Sequence, residues 1–126
     1  MIKVKIDTKE IFHVISIEET NLTANMAEEL ISFVAEKQKE ENKSLVISLQ
    51  NVTEIEEGAF DSIIKLHENT YESKKSLVFC GLKPEIKKSF EQKGLTEKIN
   101  TTPTESEAWD IVQMEEIERE LDIDFE

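Results

Sequence analysis

Three carboxylates stand close together just before a predicted helix: Glu54, Glu56 and Glu57. Carboxylates in this position are stabilised by the positive end of the helix dipole and by the free backbone N–H groups of the first turn. A divalent cation could use the same oxygens, but three neighbouring acids with no further ligand assignable to the site are a poor cation site. Helix-start electrostatics accounts for the cluster, and we predict no metal and no cofactor.

The other reactive side chains are isolated along the chain. There is no Gly-rich phosphate loop, no paired Cys or His at metal-ligand spacing and no nucleophile elbow. We interpret His67, on the apolar face of the same predicted helix, as a packed and hydrogen-bonded histidine, and His13 as similarly structural. The single cysteine, Cys80, lies in an apolar run that is typical of an inert core thiol. These patterns predict a protein that is not an enzyme.

The acidic cluster connects a strand to a helix. Residues 45–49 form an uncharged run rich in β-branched side chains, which is typical of a strand buried on both faces. Apolar residues then recur at helical spacing, which predicts a helix over 59–73. Open α/β sheets carry their sites where strands end beside helix N-termini, so we place the candidate site between these two elements.

The flanking segments supply the rest of the sheet and its helices. Thr23 is a suitable N-cap for a first helix, and Pro84 suits the first turn of a third. Gly94 is placed as the left-handed C-cap of that third helix, and Thr104 and Glu107 have capping-box spacing for a fourth. Further strands, the first two joined as a hairpin, are predicted at residues 2–6, 12–17, 76–80 and 95–99.

The fourth predicted helix is apolar on one side and ends in an acidic segment. Its apolar side is predicted to consist of Ala108, Ile111, Val112, Met114, Ile117 and Leu121. Residues 115–126 carry seven acidic side chains against one basic one. We expect a domain over 1–121 and a fraying acidic tail over 122–126, either a solvated helix end or an acidic docking tail.

Length and charge narrow the function classes. A chain of 126 residues with 38% apolar residues suffices for one α/β domain. The predicted architecture is a mixed, mostly parallel sheet of four to five strands with about four helices largely on one face. A net charge of -13 argues against binding nucleic acid or anionic membranes. No apolar run suggests a signal peptide or a membrane span, so we expect a cytoplasmic protein.

At the strand–helix junction the sequence resembles the STAS family, the domain of bacterial anti-sigma-factor antagonists. In that family the central strand is followed by a hydrophobic residue and then Asp-Ser-Ser-Gly-Leu, whose second serine is phosphorylated by an anti-sigma kinase. Residues 49–60, Leu-Gln-Asn-Val-Thr-Glu-Ile-Glu-Glu-Gly-Ala-Phe, match this layout without gaps. Glu56 stands at the aspartate and Glu57 at the first serine. Gly58 stands at the phosphorylated serine, and Ala59 at the glycine.

The resemblance covers nearly the whole chain. Residues 23–34 are similar to the family's first helix, 76–81 to its fourth strand, and 82–90 to the start of its third helix. Residues 114–121 are similar to the tail of a Bacteroidetes branch of the family. The switch motif departs from the family, because Gly58 has no hydroxyl to phosphorylate.

The resemblance implies a loop that keeps its docking surface and loses its switch. Glu57 carries one charge and two oxygens, whereas a phosphoserine carries up to two charges and three oxygens, so Glu57 is not a phosphomimic. Two hydroxyls remain nearby, on Thr53 and Ser62. Ser62 lies a helical turn farther on, where we interpret it as a surface residue.

The resemblance therefore implies a non-enzymatic regulatory module in transcription control, with a protein partner such as a kinase-like anti-sigma factor. The implied docking surface is the exposed side of the second helix together with the loop residues Thr53, Glu54, Glu56, Glu57, Gly58, Ala59, Asp61 and Ser62. The alternative is a structural STAS subunit of a larger assembly, either a stressosome-like scaffold or a transporter-associated component. Affinity purification from the native cell would separate the two hypotheses.

Overall fold

The strand predicted at 45–49 is the middle of the sheet in the computed structural model, which describes residues 1–124. This strand, β4 (Ser44–Ser48), has all five residues buried. It pairs in parallel with β2 (Phe12–Ile17) on one side and β6 (Leu77–Cys80) on the other. Because it has neighbours on both edges and apolar clusters on both faces, it is apolar without alternation, the pattern that predicted it.

Two edge strands complete the five-stranded sheet. β1 (Val4–Thr8) is antiparallel to β2, as the predicted hairpin required, and β7 (Asn100–Thr102) is parallel to β6. The strand order is β1-β2-β4-β6-β7. A separate parallel pair, β3 (Asn21–Leu22) with β5 (Glu54–Ile55), lies outside this sheet. The mixed, mostly parallel sheet is confirmed, whereas the β3–β5 pair was not predicted.

The four helices cover the sheet unequally. They are α1 (Ala24–Glu40), α2 (Ala59–Glu72), α3 (Pro84–Gln92) and α4 (Glu105–Asp124). The larger core cluster takes its buried side chains from α1, α2 and α3 together with Leu45 and Ile47 of β4. The smaller one takes them from α4 and includes Val46 of β4. Successive β4 side chains thus point to opposite faces, and three helices share one face, as predicted.

The predicted helix ends agree with the caps. Thr23 has extended backbone angles, and its Oγ1 accepts a hydrogen bond of 3.1 Å from the backbone N–H of Met26. Gly94, after α3, has φ +70°, the left-handed conformation that glycine adopts at least cost. Thr104 Oγ1 accepts from the backbone N–H of Glu107 at 3.3 Å.

The strand predicted at 95–99 is wrong. Leu95–Glu97 form a single 3₁₀ turn, and the strand is β7, which begins three residues later at Asn100. Leu95 and Ile99 are buried, and the backbone N–H of Ile99 donates to the carbonyl of Leu95 at 2.8 Å. The apolar residues thus anchor a turn in the core, whereas the edge strand has the polar sequence Asn-Thr-Thr, whose first residue is uncommon in strands.

The predicted apolar side of α4 is also wrong in its second half. Ala108 and Val112 are buried, but the side chains of Met114, Ile117 and Leu121 are 60%, 56% and 49% exposed. At about 100° per residue, these three lie on the side of the helix that faces away from Ala108 and Val112.

The described helix continues to Asp124, three residues beyond Leu121, after which fraying was predicted. Phe125 and Glu126 lie outside the described residues, so the acidic tail over 122–126 stays a prediction. Within residues 1–124, none of the helices combines the length and the apolar character that crossing a bilayer requires.

Candidate functional site

The candidate site runs from the segment between β4 and α2 into the first turn of α2, residues 53–62, which we call the 53–62 loop. Its first half is tied to the chain before α1. The backbone N–H of Thr53 donates to the carbonyl of Thr20 at 2.8 Å, and that of Glu56 donates to Leu22 at 2.9 Å. The β3–β5 pair lies between these bonds. The loop therefore leaves the carboxyl end of the central strand with its backbone held.

Glu56, at the family's aspartate position, caps α1. Its Oε1 accepts a hydrogen bond of 3.1 Å from the backbone N–H of Ala24, the first residue of that helix. A carboxylate at a helix N-terminus satisfies an otherwise free donor and interacts favourably with the helix dipole. Glu56 is thus a bond between the loop and α1, although its side chain is exposed.

Glu57 has a different partner, the ammonium group of Lys93 at the end of α3. The same ammonium lies 5.3 Å from the centre of the Phe60 ring. The Glu57 side chain is 79% exposed, so the ion pair contributes little to stability. Its effect is to orient one carboxylate on the surface of the loop.

Gly58 does not need to be glycine for its backbone. Its φ of −67° and ψ of −14° are right-handed helical values, open to any residue. A Cβ at this position would lie 3.1 Å from the Cβ of Ala24, closer than ordinary contacts. The absent side chain therefore lets the loop pack tightly against α1.

The remaining predicted site residues divide by exposure. Thr53, Glu54 and Asp61 are exposed, and Ser62 is half-buried. Thr53 Oγ1 donates to the carbonyl of Thr20 at 3.1 Å, so this hydroxyl is already engaged. Ala59 is fully buried in the core, which leaves its side chain no surface for a partner.

A groove between α1 and α2 extends the site. Asp61 and Ser62 are predicted from the sequence as site residues, but the groove residues of α1 were missed by the sequence analysis. The groove has a volume of about 330 Å³ and is lined by Glu28, Ile31, Asp61, Ser62 and Lys65. Ile31 also lines a second cavity of about 180 Å³ farther along the two helices. The contributing residues of α1 are distant in sequence from the loop, so only the packing of the helices brings them to it.

The loop carboxylates do not converge on one point, since Glu56 meets α1 and Glu57 meets α3. Over residues 1–124, no three His, Cys, Asp or Glu side chains are grouped so that they could hold a metal ion. The arrangement offers an acidic surface on a fixed backbone. Such a surface is suited to recognising a binding partner.

His13 and Cys80 lie in buried surroundings that give their side chains a structural role. His13 is 2% exposed, with Nδ1 2.9 Å from Thr8 Oγ1 and Nε2 2.9 Å from the carbonyl of Glu41. Burial raises the pKa of Cys80 to about 11, so its thiol is protonated and unreactive at neutral pH.

His67 packs on Tyr71 with ring centres 4.6 Å apart, and burial lowers its pKa. Its buried Nδ1 has no hydrogen-bond partner among the described residues. The predicted packing is therefore confirmed, but the prediction that the ring is hydrogen-bonded is wrong at Nδ1.

A second polar cluster, at the amino ends of the parallel strands, was not predicted. We call it the amino-end network, and its members are Ser44, Tyr71, Ser76, Asn100, Glu115, Glu116 and Arg119. Glu115 accepts from Tyr71 Oη at 2.7 Å and from Asn100 Nδ2 at 3.1 Å. Burial, reinforced by this carboxylate, raises the pKa of Tyr71 to about 12. The contributing elements are α2, α4 and the starts of β4, β6 and β7, which local patterns cannot connect.

Glu116 forms the other half of the amino-end network. It accepts from Ser44 Oγ at 2.7 Å and from Arg119 at 2.9 Å, and Arg119 also donates to Ser76 Oγ at 2.7 Å. Burial alone would raise the pKa of Glu116, but the hydrogen bonds from Ser44 and Arg119 outweigh it, and the pKa is lowered. These groups largely satisfy one another, so the network holds α4 on the sheet.

Comparison with known proteins gives one family. A family model described as "STAS domain" matches residues 4–108. A comparison with curated proteins found no match. Among solved structures, an anti-sigma-factor antagonist (STAS) domain protein from Planctomyces limnophilus is 17% identical, with a TM-score of 0.74 over 87% of this chain and 97% of that one.

Two further structures show how widely the fold is used. The Bacillus cell fate determinant SpoIIAA in its phosphorylated form is 13% identical, with a TM-score of 0.65 over 87% of this chain and 99% of that one. The murine Solute Carrier 26 family member A9 anion transporter is 11% identical, with a TM-score of 0.70 over 82% of this chain but only 18% of the transporter. At these identities the likeness establishes the fold alone.

Proposed function

The chain belongs to the STAS domain family, and we propose that it is a non-enzymatic protein-binding module that resembles anti-sigma-factor antagonists. Its docking surface is the 53–62 loop with the adjoining exposed side of α2. The partner is a protein, and a kinase-like anti-sigma factor is the candidate that the resemblance favours. Nucleic acid is not a partner, because the net charge of -13 repels phosphates.

The observation that carries this proposal is a loop with a held backbone and free side chains. The β3–β5 pair and the bond from Ala24 to Glu56 restrain the backbone, while Glu54, Glu57 and Asp61 remain exposed. A surface that is ordered before binding loses less conformational entropy when a partner docks. The groove beside Ser62 adds concave contact area next to the acidic side chains.

The proposed module is not regulated by phosphorylation at the position that is phosphorylated in the family. Gly58 has no hydroxyl to accept a phosphoryl group, and the neighbouring Glu57 is paired with Lys93. Thr53 has a hydroxyl, but that group donates to the carbonyl of Thr20. Partner binding is accordingly independent of phosphate on residues 53–58.

Charge reversal tests the surface. Affinity purification from the native cell identifies the partner, whose affinity is then measured by calorimetry for Asp61→Lys and for a matched Glu10→Lys control. Glu10 is equally exposed but lies in the turn between β1 and β2, at the opposite end of the sheet. We expect Asp61→Lys to weaken binding at least about tenfold, or about 1.4 kcal/mol, and Glu10→Lys to leave it unchanged. Equal effects of the two variants would contradict the proposed surface.

Mass spectrometry tests the absent switch. After incubation with the purified partner and ATP, we expect no phosphate on residues 53–58 and the same affinity with or without ATP. The same measurement on protein from native cells serves as the control. Stoichiometric phosphate on Thr53 would show that the switch has moved by five positions and is not absent.

A structural role in a larger assembly is the second candidate, favoured by the likeness to a domain within an anion transporter. In that case the chain would be a stressosome-like scaffold or a transporter-associated component. Size-exclusion chromatography of a gentle cell extract separates the candidates. An antagonist elutes in a small complex with its partner, whereas an assembly subunit elutes in a particle many times larger or in the membrane fraction.

A further inference from the structure

The outer side of α4 carries three large apolar side chains in solvent. Met114, Ile117 and Leu121 are 60%, 56% and 49% exposed, and we call them the α4 stripe. Their spacing of three and four residues places them along one line of the helix. The same helix meets the sheet through Ala108, Val112 and Arg119, which lie on the other side.

The fold does not require these residues to be apolar. A helix on the surface of a globular protein carries apolar residues toward the core and polar residues toward water. Single exposed apolar side chains are ordinary, but three in one line form a continuous patch of the kind that marks an interaction site. The amino-end network holds this part of α4 through Glu115 and Glu116, so the patch has a fixed orientation.

The charge around the α4 stripe has a single sign. Asp110 lies along its line, and Glu118 and Glu120 border it on its two sides. Arg119 is the one basic residue in the sequence of α4, and its guanidinium group is directed inward, toward Ser76 and Glu116. A partner that covers the patch therefore meets an apolar strip with acidic borders.

We propose that the α4 stripe binds an amphipathic helix of another protein, whose apolar face is bordered by lysine or arginine. Two helices pack by interlocking such side-chain rows, and the basic borders complement the acidic ones. The site lies on the sheet face opposite to α1 and α2. It is separate from the 53–62 loop, so one molecule can hold two partners at once.

A second copy of the chain and the chain's own helix α3 could also cover the α4 stripe, but both fit less well. A second copy that paired its own stripe would bring two acidic borders together, and like charges in contact oppose association. The least acidic of the four helices is α3, with two lysines and two glutamates, but its apolar residues Ile86 and Phe90 are buried in the core. Complementary charge therefore favours a different protein.

The test uses a designed peptide of about 18 residues, with leucines at helical spacing on one face and lysines beside them. Calorimetry measures its binding to the wild-type protein and to the triple variant Met114→Gln, Ile117→Gln, Leu121→Gln, which keeps the net charge. We expect binding to the wild type and at least about a tenfold loss in the variant. Ile11→Gln is the matched control, because Ile11 is a 37% exposed apolar residue far from α4 in the sequence, and it should bind like the wild type.

Charge is tested with a second peptide in which glutamates replace the lysines. We expect this peptide not to bind, and we expect the affinity of the lysine peptide to fall as salt is raised. Circular dichroism of the triple variant should match the wild type, because the changed side chains are exposed. Equal binding by the triple variant, or no binding of the lysine peptide at millimolar concentration, would overturn the proposal.

Sedimentation equilibrium tests whether a second copy of the chain, instead of a different protein, covers the α4 stripe. We expect a monomer at micromolar concentration for both the wild type and the triple variant. If the wild type forms a dimer and the triple variant does not, the α4 stripe binds a second copy of the chain, and the proposed partner is wrong.

Discussion

The two ends of the sheet use acidic side chains in opposite ways. At the amino ends of the parallel strands, Glu115 and Glu116 are half-buried and accept hydrogen bonds from Tyr71 and Ser44. At the carboxyl ends, the carboxylates of the 53–62 loop are exposed, and Glu57 has only a surface ion pair. Acidic residues at the first end hold the fold together, and those at the second end are available to a partner.

The difference comes from what covers each end. The second half of α4 lies over the amino ends, so polar groups there must be satisfied by one another. At the carboxyl ends, the loop is held by β3, by the chain before it and by the bond from Ala24 to Glu56, which leaves Glu54 and Asp61 exposed. Function is therefore expected where the segment is fixed without using all of its acidic side chains.

The largest effect on stability is expected in β4, the central strand, which connects the two ends of the sheet. Ile47 is fully buried at the centre of β4. Ile47→Ala should lower the free energy of unfolding by about 2–5 kcal/mol, because it removes buried atoms and leaves a cavity. Urea denaturation measures the change. A loss under about 0.5 kcal/mol, typical of surface sites, would remove this strand from the core.

The next effect contrasts the two ends directly. Ser44 Oγ donates to Glu116 and accepts from the backbone N–H of Ser76 at 2.9 Å, so Ser44→Ala leaves the buried N–H of Ser76 without this partner and removes one of the two hydrogen bonds to Glu116. We expect a loss of about 1–3 kcal/mol. Glu57→Gln at the loop should change stability by less than about 0.5 kcal/mol. Equal losses in urea denaturation would show that the two ends do not differ.

Alkaline pH sharpens the comparison. The pKa of Tyr71 is raised to about 12 in the folded protein from an ordinary value of 10.0. Because the folded-state pKa is the higher one, its stabilising contribution is complete below pH 10 and is lost as the pH rises toward 12. Urea midpoints measured from pH 8 to 11 should therefore fall more steeply for the wild type than for Tyr71→Phe. Parallel curves would mean that Tyr71 titrates normally.

A smaller effect is expected at Gly58. Its φ of −67° suits serine, and the close approach to Ala24 is offset by the lower entropy of the unfolded chain, so Gly58→Ser should change stability by under about 1 kcal/mol. Gly81→Ser is the matched control, since its φ of +70° should make the same substitution cost about 1–2 kcal/mol. The prediction fails if the Gly58 variant loses as much stability as the Gly81 variant.

The smallest effect is expected at the end of the chain. Removing residues 122–126 should move the melting temperature by less than about 2 °C, because we expect the predicted acidic tail not to pack on the domain. Differential scanning calorimetry of the shortened and full-length proteins measures the shift. A drop of several degrees would instead assign those residues to the folded domain.

Local patterns in the sequence determined the central strand, the helix after it, the caps at Thr23 and Gly94 and the position of the 53–62 loop. Each of these depends on residues close together in the chain, such as an uncharged β-branched run or a side chain that bonds its own helix. The family resemblance was found first at residues 49–60 and then extended over nearly the whole chain.

Tertiary structure alone decided the β3–β5 pair, the bond from Glu56 to α1, the amino-end network and the exposure of the α4 stripe. Each joins segments far apart in sequence, or depends on which side of a helix meets the sheet. The apolar residues predicted for one side of α4 fall on two sides at about 100° per residue, and the second of these sides carries Met114, Ile117 and Leu121. Whether that side is covered depends on what packs there, and in α4 the polar residues Glu115, Glu116 and Arg119 take the inner positions.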